Sequence, residues 1–221
     1  MHSETAPKLK KILSFNEAHS VAIRIWHWIT AVTLSASILM VILGSTMFRT
    51  RNNIDMVQEQ LQGKGVTVTV DQAKSVAHEY SDKLWMTHKW IGYGLCILWV
   101  CRMTIELAAS RQNRLVKNMR DALNFKTNTS SEREERFHYL SVKSSYLIFY
   151  TIFFLMAMTG LGLAFEDAPI LKDIHGPIKE IHEFLQYAIY VYVLFHLVGV
   201  IRADLGKHRG IVSRMISGNG Q

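Results

Sequence analysis

The sequence predicts an all-α integral membrane protein with a four-helix bundle. Two blocks, residues 25–48 and 144–165, contain no Asp, Glu, Lys or Arg and are 24 and 22 residues long. A helix needs ~20 residues to cross ~30 Å of hydrocarbon at ~1.5 Å per residue. Charged residues are 19% of the chain, below the ~25% typical of soluble domains. These observations exclude a disordered chain, a secreted disulfide scaffold and an ordinary soluble enzyme.

Two weaker apolar segments complete a set of four predicted spans. Residues 184–201 are uncharged, and residues 84–105 are apolar except for Lys89 and Arg102. These two cations lie near opposite ends of their span, where long side chains can extend to the membrane interface. We therefore expect one membrane domain over residues 1–221, with spans at about 22–48, 83–107, 143–165 and 180–202.

The segments between the spans differ in length and charge. The loop at 49–83 has 35 residues, long enough to be functional, and we expect it to become helical from Asp71. The middle loop, 106–143, carries cations at helical spacing. This pattern fits an amphipathic helix on the membrane surface or a solvated loop. The cations are Arg111, Arg114, Lys117 and Arg120.

The net charge of +7 divides unevenly between the two sides of the predicted membrane. The two tails and the middle loop carry a net +8, whereas the loops 49–83 and 166–183 carry a net −3. Basic loops remain in the cytoplasm, so we expect both termini and the middle loop on the cytoplasmic side. The basic excess thus orients the chain and gives no reason to expect nucleic acid as a partner.

Four histidines, His27, His88, His182 and His196, fall within the predicted spans. Ionisable residues in membrane helices are rare and usually functional. The topology places His27 and His196 toward the cytoplasm, and His88 and His182 toward the outside. The 14 residues from His182 to His196 correspond to about 21 Å of helix and return to within ~40° of the same face. The four histidines therefore form an inner and an outer pair.

Two imidazoles from different helices at one depth, occurring twice, favour two haem b groups held by bis-histidine ligation between the helices. Cations near each pair are candidates to bind the haem propionates: Arg24 and Arg202 inside and Lys89 outside. An interfacial anchor is the alternative role for the arginines. A zinc protease is excluded, because Gln186 and Asp82 stand where an HExxH motif needs its second histidine.

Several motifs also resemble a known family. The segment Arg24-Ile25-Trp26-His27-Trp28, the stretch from His88 to Tyr93, the gap from His182 to His196 and the run from Ile211 to Gly218 resemble di-haem b-type cytochromes. These are the membrane subunits of nickel–iron hydrogenases, within the wider group of prokaryotic cytochrome b561 and formate dehydrogenase gamma subunits. The resemblance covers nearly the whole chain, and the loop 49–83 matches least.

The resemblance implies an electron-transfer subunit of the bacterial inner membrane with no substrate chemistry of its own beyond a quinone site. Electrons would enter at the outer haem from a periplasmic iron–sulfur subunit and leave from the inner haem to quinone. The iron–sulfur subunit expected first is that of a hydrogenase. In addition to Arg24 and Arg202, polar residues at the depth of the quinone site are His138, Tyr139 and Asp204. Other expected partners are membrane lipids.

Two alternatives remain open at the level of sequence. The same di-haem path would also serve a formate, thiosulfate, sulfite or superoxide-reactive module. A haem-free membrane protein, such as a docking anchor or transporter, would use the four histidines to pack helices by hydrogen bonds. The haem content of the purified chain distinguishes this second alternative from the first.

Overall fold

The computed structural model describes residues 20–109, 114–206 and 209–218, which form seven α-helices and one short 3₁₀ turn. The helices are α1 (Val21–Ser45), α2 (Thr50–Gln62), α3 (Val70–Ala108), α4 (Leu115–Asn124), α5 (Ser130–Ala164), α6 (His175–Leu205) and α7 (Ile211–Ser217), with the 3₁₀ turn at Lys172–Ile174. No strand occurs in the described ranges.

Four segments are long and apolar enough to cross a membrane, which confirms the predicted number of spans. They are Val21–Ser45, Val70–Ala108, Ser130–Ala164 and Lys172–Leu205. The helices extend beyond the predicted spans, because α3 begins at Val70 and α5 at Ser130 instead of near 83 and 143. Both extensions are polar and continue a membrane helix into the loop before it.

The contacts divide the chain into two units, residues 1–27 with 99–221 and residues 28–98. In the first, the most extensive helix contact is between α5 and α6, and α4 and α7 pack against this pair. The contact between α4 and α5 centres on the buried Ala122 and Tyr139. A capping box starts α5, since the Thr129 hydroxyl accepts the Glu132 N–H and the Glu132 carboxylate accepts the Thr129 N–H.

The unit of residues 28–98 contains a helical hairpin within the predicted loop 49–83. Helix α2 packs Val57 against Ala73 and Ala77 of the α3 extension, which are almost fully buried. Gly65, at φ +78°, ends α2 with a left-handed residue that favours glycine. The Thr69 hydroxyl then caps α3 by accepting the Gln72 N–H. The expected helical lead-in from Asp71 is thus confirmed.

For the middle loop, where the sequence left a helix and a solvated loop open, the structure shows the helix α4, which contains Lys117 and Arg120 and follows Arg114. Lys117 forms an ion pair of 2.6 Å with Asp121 one turn later. The first cation of the predicted pattern, Arg111, lies outside the described residues. The structure contains no membrane, so the placement of α4 on the membrane surface stays a prediction.

Candidate haem site

The two histidines of the predicted inner pair lie side by side. His27 is near the start of α1 and His196 is in the second half of α6, and both are half-buried. Their ring centres are 6.1 Å apart, with the ring planes inclined at 59°. The sequence placed these residues at one depth, and the structure brings them to neighbouring positions.

This separation fits a metal between the two rings. A metal–nitrogen bond of ~2.0 Å on each side, with ~1.1 Å from each nitrogen to its ring centre, separates the two centres by about 6 Å. Gly199 follows His196 by three residues, and a Cβ atom built there would meet no atom within 4 Å. The inner pair therefore has the ring separation that a metal between two imidazoles needs, with open space beside it at Gly199.

An aromatic ring also orients the inner pair. The Tyr192 ring, one helical turn before His196, lies nearly parallel to it, with the ring centres 6.1 Å apart and the planes at 8°. Phe149 of α5 stacks on Tyr192 at 4.8 Å. The His196 ring is thus held by a stack of aromatic rings from α5 and α6, which a single sequence does not reveal.

A threonine hydroxyl orients His182. Thr159 of α5 lies 2.9 Å from His182 Nδ1 and donates its own hydrogen to the Leu155 carbonyl at 2.8 Å. In the His182 tautomer that is protonated at Nδ1, the hydroxyl oxygen accepts that proton while its own hydrogen is donated to the carbonyl. The tautomer protonated at Nδ1 presents the lone pair of Nε2 to a metal.

Gly160, the residue after Thr159, leaves room for the same imidazole ring. A Cβ atom on Gly160 would lie 3.2 Å from His182 Cε1, closer than most carbon atoms pack. Glycine therefore lets the imidazole lie against the α5 backbone. The segment Thr159-Gly160 positions His182 by a hydrogen bond and by the absence of a side chain.

His88 has a similar partner in the unit of residues 28–98. Its Nδ1 lies 3.3 Å from the Ser37 hydroxyl of α1, and its ring makes an edge-to-face contact with Trp85 at 5.7 Å. Cβ atoms at Gly92 and Gly94, four and six residues further along α3, would meet nothing within 4 Å. Both histidines of the predicted outer pair thus have Nδ1 beside a hydroxyl, although each belongs to a different unit.

The candidate propionate residues differ in their contacts. Arg24 donates from Nη1 to the Ile216 carbonyl at 2.9 Å, near the end of α7. A Cβ atom on Gly218 would lie 2.8 Å from the Arg24 guanidinium, so this glycine allows the close approach. Arg202 and Lys89 are exposed. Propionate binding by all three residues stays a prediction.

The predicted quinone residues lie in two different contacts. Tyr139 is buried against α4, with the Lys143 ammonium 5.4 Å from its ring centre, and the adjacent His138 is exposed. The Asp204 carboxylate accepts the Val212 N–H at the start of α7, at 3.4 Å. Asp204 and Arg24 therefore both contact α7, while Tyr139 packs against α4. Their role toward quinone stays a prediction.

Arg102, which was expected to extend to the membrane interface, is only 7% exposed. Its depth relative to a membrane stays a prediction. Its Nε donates to the Tyr150 hydroxyl at 2.9 Å and its Nη2 to Glu106 at 3.1 Å, with the guanidinium carbon 5.8 Å from the centre of the Trp26 ring. Glu106 also accepts the Leu115 N–H, at 2.6 Å. Arg102 thus links the start of α1, next to His27, with α4 and α5.

The chain matches the family model described as prokaryotic cytochrome b561 over residues 18–218. It belongs to the prokaryotic cytochrome b561 family. The protein is therefore a membrane cytochrome b of electron transfer, with haem b as its cofactor, which confirms the helical membrane bundle and the broad resemblance. No curated protein and no solved structure matches the chain.

Proposed function

We propose that this cytochrome b carries electrons across the bacterial inner membrane, from a periplasmic iron–sulfur oxidoreductase to the quinone pool. The hydrogenase-like motifs at Arg24–Trp28 and Ile211–Gly218 favour a nickel–iron hydrogenase as the electron donor. When bound, haem b supplies reversible one-electron chemistry. The chain supplies the ligands, their orientation and the insulation from water.

The observation that carries the proposal is the facing of His27 and His196 at 6.1 Å between ring centres. We assign these two residues as ligands of the inner haem. For the outer haem we propose His88 and His182, because their depths match in the sequence and the hydroxyls of Ser37 and Thr159 lie beside Nδ1 of the two rings. Two haems b per chain follow from this assignment.

The charge distribution supports the proposed direction and partner. The basic tails and middle loop favour a position of the inner pair toward the cytoplasm, where quinone would take up protons while electrons arrive from outside. The loops 49–83 and 166–183, with a net charge of −3, then face the periplasm and are the surfaces proposed for docking the iron–sulfur subunit. Turnover in this arrangement would build a membrane potential.

Membranes from the native host test the donor and the acceptor separately. We expect H₂ to reduce the haem absorbance bands under anaerobic conditions, and a water-soluble quinone to reoxidise them. Membranes with His196→Ala should keep the H₂-dependent reduction of the remaining haem and lose its reoxidation by quinone. Reduction by formate or thiosulfate, with none by H₂, would assign the chain to another donor and contradict the hydrogenase proposal.

A further inference from the structure

Arg102 has one hydrogen-bond donor that the described residues leave unused. The side chain is only 7% exposed, and its Nε and Nη2 are bonded to Tyr150 and Glu106. Its Nη1 is buried and makes no hydrogen bond to any residue that the structure describes. Buried polar groups are rarely left without a partner, and a buried charged group is the most costly case. The Nη1 atom therefore indicates a bound acceptor.

The Tyr150 hydroxyl provides a second donor beside the guanidinium group. Its oxygen accepts the Arg102 Nε–H at 2.9 Å, and the guanidinium carbon lies 4.9 Å from the centre of the Tyr150 ring. A hydroxyl that accepts one hydrogen bond can still donate its own hydrogen to another group. Two neighbouring donors fit an anionic or carbonyl acceptor, whereas a metal cation would need lone pairs.

The two donors lie beside residues that flank the inner histidine pair. The Arg102 guanidinium carbon is 5.8 Å from the centre of the Trp26 ring, and Trp26 directly precedes His27. On α5, Tyr150 directly follows Phe149, which belongs to the aromatic stack on the other histidine of the pair. All of these residues belong to one of the two units. The missing acceptor is therefore expected close to the inner pair.

The position of Arg102 along α3 agrees with this location. Arg102 follows His88 by 14 residues, the same interval that separates His196 from His182 on α6. That interval corresponds to about 21 Å of helix and returns to within ~40° of the same face. The residue count therefore predicts Arg102 at the depth of the inner pair, on the side of α3 that carries a histidine of the predicted outer pair.

We propose that Arg102 Nη1 and the Tyr150 hydroxyl bind a propionate of the inner haem, an inference that rests on the proposed ligation by His27 and His196. A carboxylate accepts both hydrogens, and its bond to a guanidinium group is charge-assisted. Glu106 holds Nη2 and leaves Nη1 for the propionate. The enclosure of Nη1 favours a resident group over quinone, because the chain folds around a resident group, whereas quinone needs an open path from the lipid.

Resonance Raman spectra of the purified holoprotein test this contact, because the bending bands of haem propionates shift when a hydrogen bond to them is lost. We expect a shift in Arg102→Lys, since lysine keeps the charge beside Glu106 but lacks the planar fork that serves three partners. Tyr150→Phe keeps the ion pair and should give a smaller shift, which also covers the case in which the first variant does not fold. The control Tyr146→Phe removes a hydroxyl one turn earlier on α5 and should leave the bands unchanged.

The His196→Ala background shows which haem is contacted. Adding Arg102→Lys in this background should shift no propionate band, because the inner haem is expected to be absent. A shift that persists there, or unshifted bands in both Arg102→Lys and Tyr150→Phe, would overturn the inference. An unchanged haem content in His196→Ala would instead contradict the proposed ligation itself, so the two failures are distinguishable.

Haem release provides a second readout of the same contact. We expect Arg102→Lys to transfer the inner haem to apomyoglobin roughly tenfold faster than the unmodified protein, because one hydrogen bond to a charged group is lost. Tyr146→Phe should release it at the original rate. Unchanged release and unshifted bands in Arg102→Lys, together with slower reoxidation of the haems by quinone, would assign the two donors to quinone and overturn the inference.

Discussion

Three histidines in the spans are oriented by two different means, His196 by a stacked aromatic ring and His88 and His182 by a neighbouring hydroxyl. In the inner pair, His196 lies parallel to the Tyr192 ring and faces His27 across 6.1 Å. In the predicted outer pair, His182 and His88 have Nδ1 2.9 Å and 3.3 Å from the hydroxyls of Thr159 and Ser37. An aromatic stack fixes a ring plane, whereas a hydrogen bond to Nδ1 also fixes the tautomer.

This difference predicts different sensitivities for the two pairs. A hydrogen bond donated by Nδ1 increases the electron donation of the imidazole to a bound metal, so the hydroxyls should affect the potential of the outer haem. Stacking on Tyr192 involves no hydrogen bond to the imidazole and should mainly affect the geometry of the inner pair. Variants at each position separate the effects on the two haems.

Removing an inner ligand should have the largest effect. We expect His196→Ala to lower the haem content from two haems b per chain to one, because the inner haem would lose one of the two histidines proposed to hold it. The pyridine haemochrome assay measures this content directly. His182→Ala should instead remove the outer haem. Loss of both haems from either variant, in a folded protein, would show that the two pairs do not bind independently.

Arg102→Met should have the next largest effect, on stability. It leaves the Glu106 carboxylate without its cation in a mostly buried position, a change that costs about 3–5 kcal/mol. We expect a lower Tm in detergent and partial loss of the inner haem, since Arg102 contacts Trp26 next to His27. Arg102→Met/Glu106→Gln removes both charges and should recover part of the Tm. A Tm equal to that of the unmodified protein would contradict the role of this ion pair.

Thr159→Val tests the hydroxyl beside His182. The variant removes the acceptor from Nδ1, so the imidazole donates less electron density, and we expect the outer haem potential to rise by ~20–40 mV. A spectroelectrochemical titration measures the shift. Thr159→Ser should restore the original potential. The control is Thr151→Val, because the Thr151 hydroxyl bonds to Leu147 of its own helix; an equal shift there would contradict the assignment.

Tyr192→Leu should have the smallest effect. Stacked aromatic pairs contribute roughly 0.5–1.5 kcal/mol, so we expect both haems to be retained and the electron paramagnetic resonance signal of the inner haem to change with the tilt of the His196 ring. Tyr187→Leu removes an exposed ring from the same helix and serves as the control. A change confined to the outer haem signal would show that Tyr192 does not orient the inner pair.

The membrane part of the fold could be predicted from sequence, whereas the helices outside it could not. Hydropathy reveals apolar stretches such as 25–48 because the hydrocarbon layer sets their length. Helix α2 is polar and depends on a few contacts, such as that of Val57 with Ala73 and Ala77, so hydropathy does not detect it. The polar start of α5 has a clearer signal, because Thr129 and Glu132 form a capping box.

The candidate haem site, like the fold, could be predicted only in part from the sequence. Helix periodicity and topology predicted the pairing of His27 with His196, because depth depends only on the residue count along each span. Thr159, Ser37 and Tyr192 were missed, since a hydroxyl or aromatic residue in an apolar span resembles ordinary core packing. The contact of Arg102 with Tyr150 was also missed, because α3 and α5 come together only in the folded chain.

If each of the two histidine pairs binds one haem b, the purified chain contains two haems, which a haem quantitation measures. Pyridine haemochrome analysis with oxidised and reduced spectra should give two low-spin haems b per chain. His27→Ala and His88→Ala should each give one, with the remaining haem keeping its own spectrum. A single haem in the unmodified protein, unaffected by one of these substitutions, would contradict the claim.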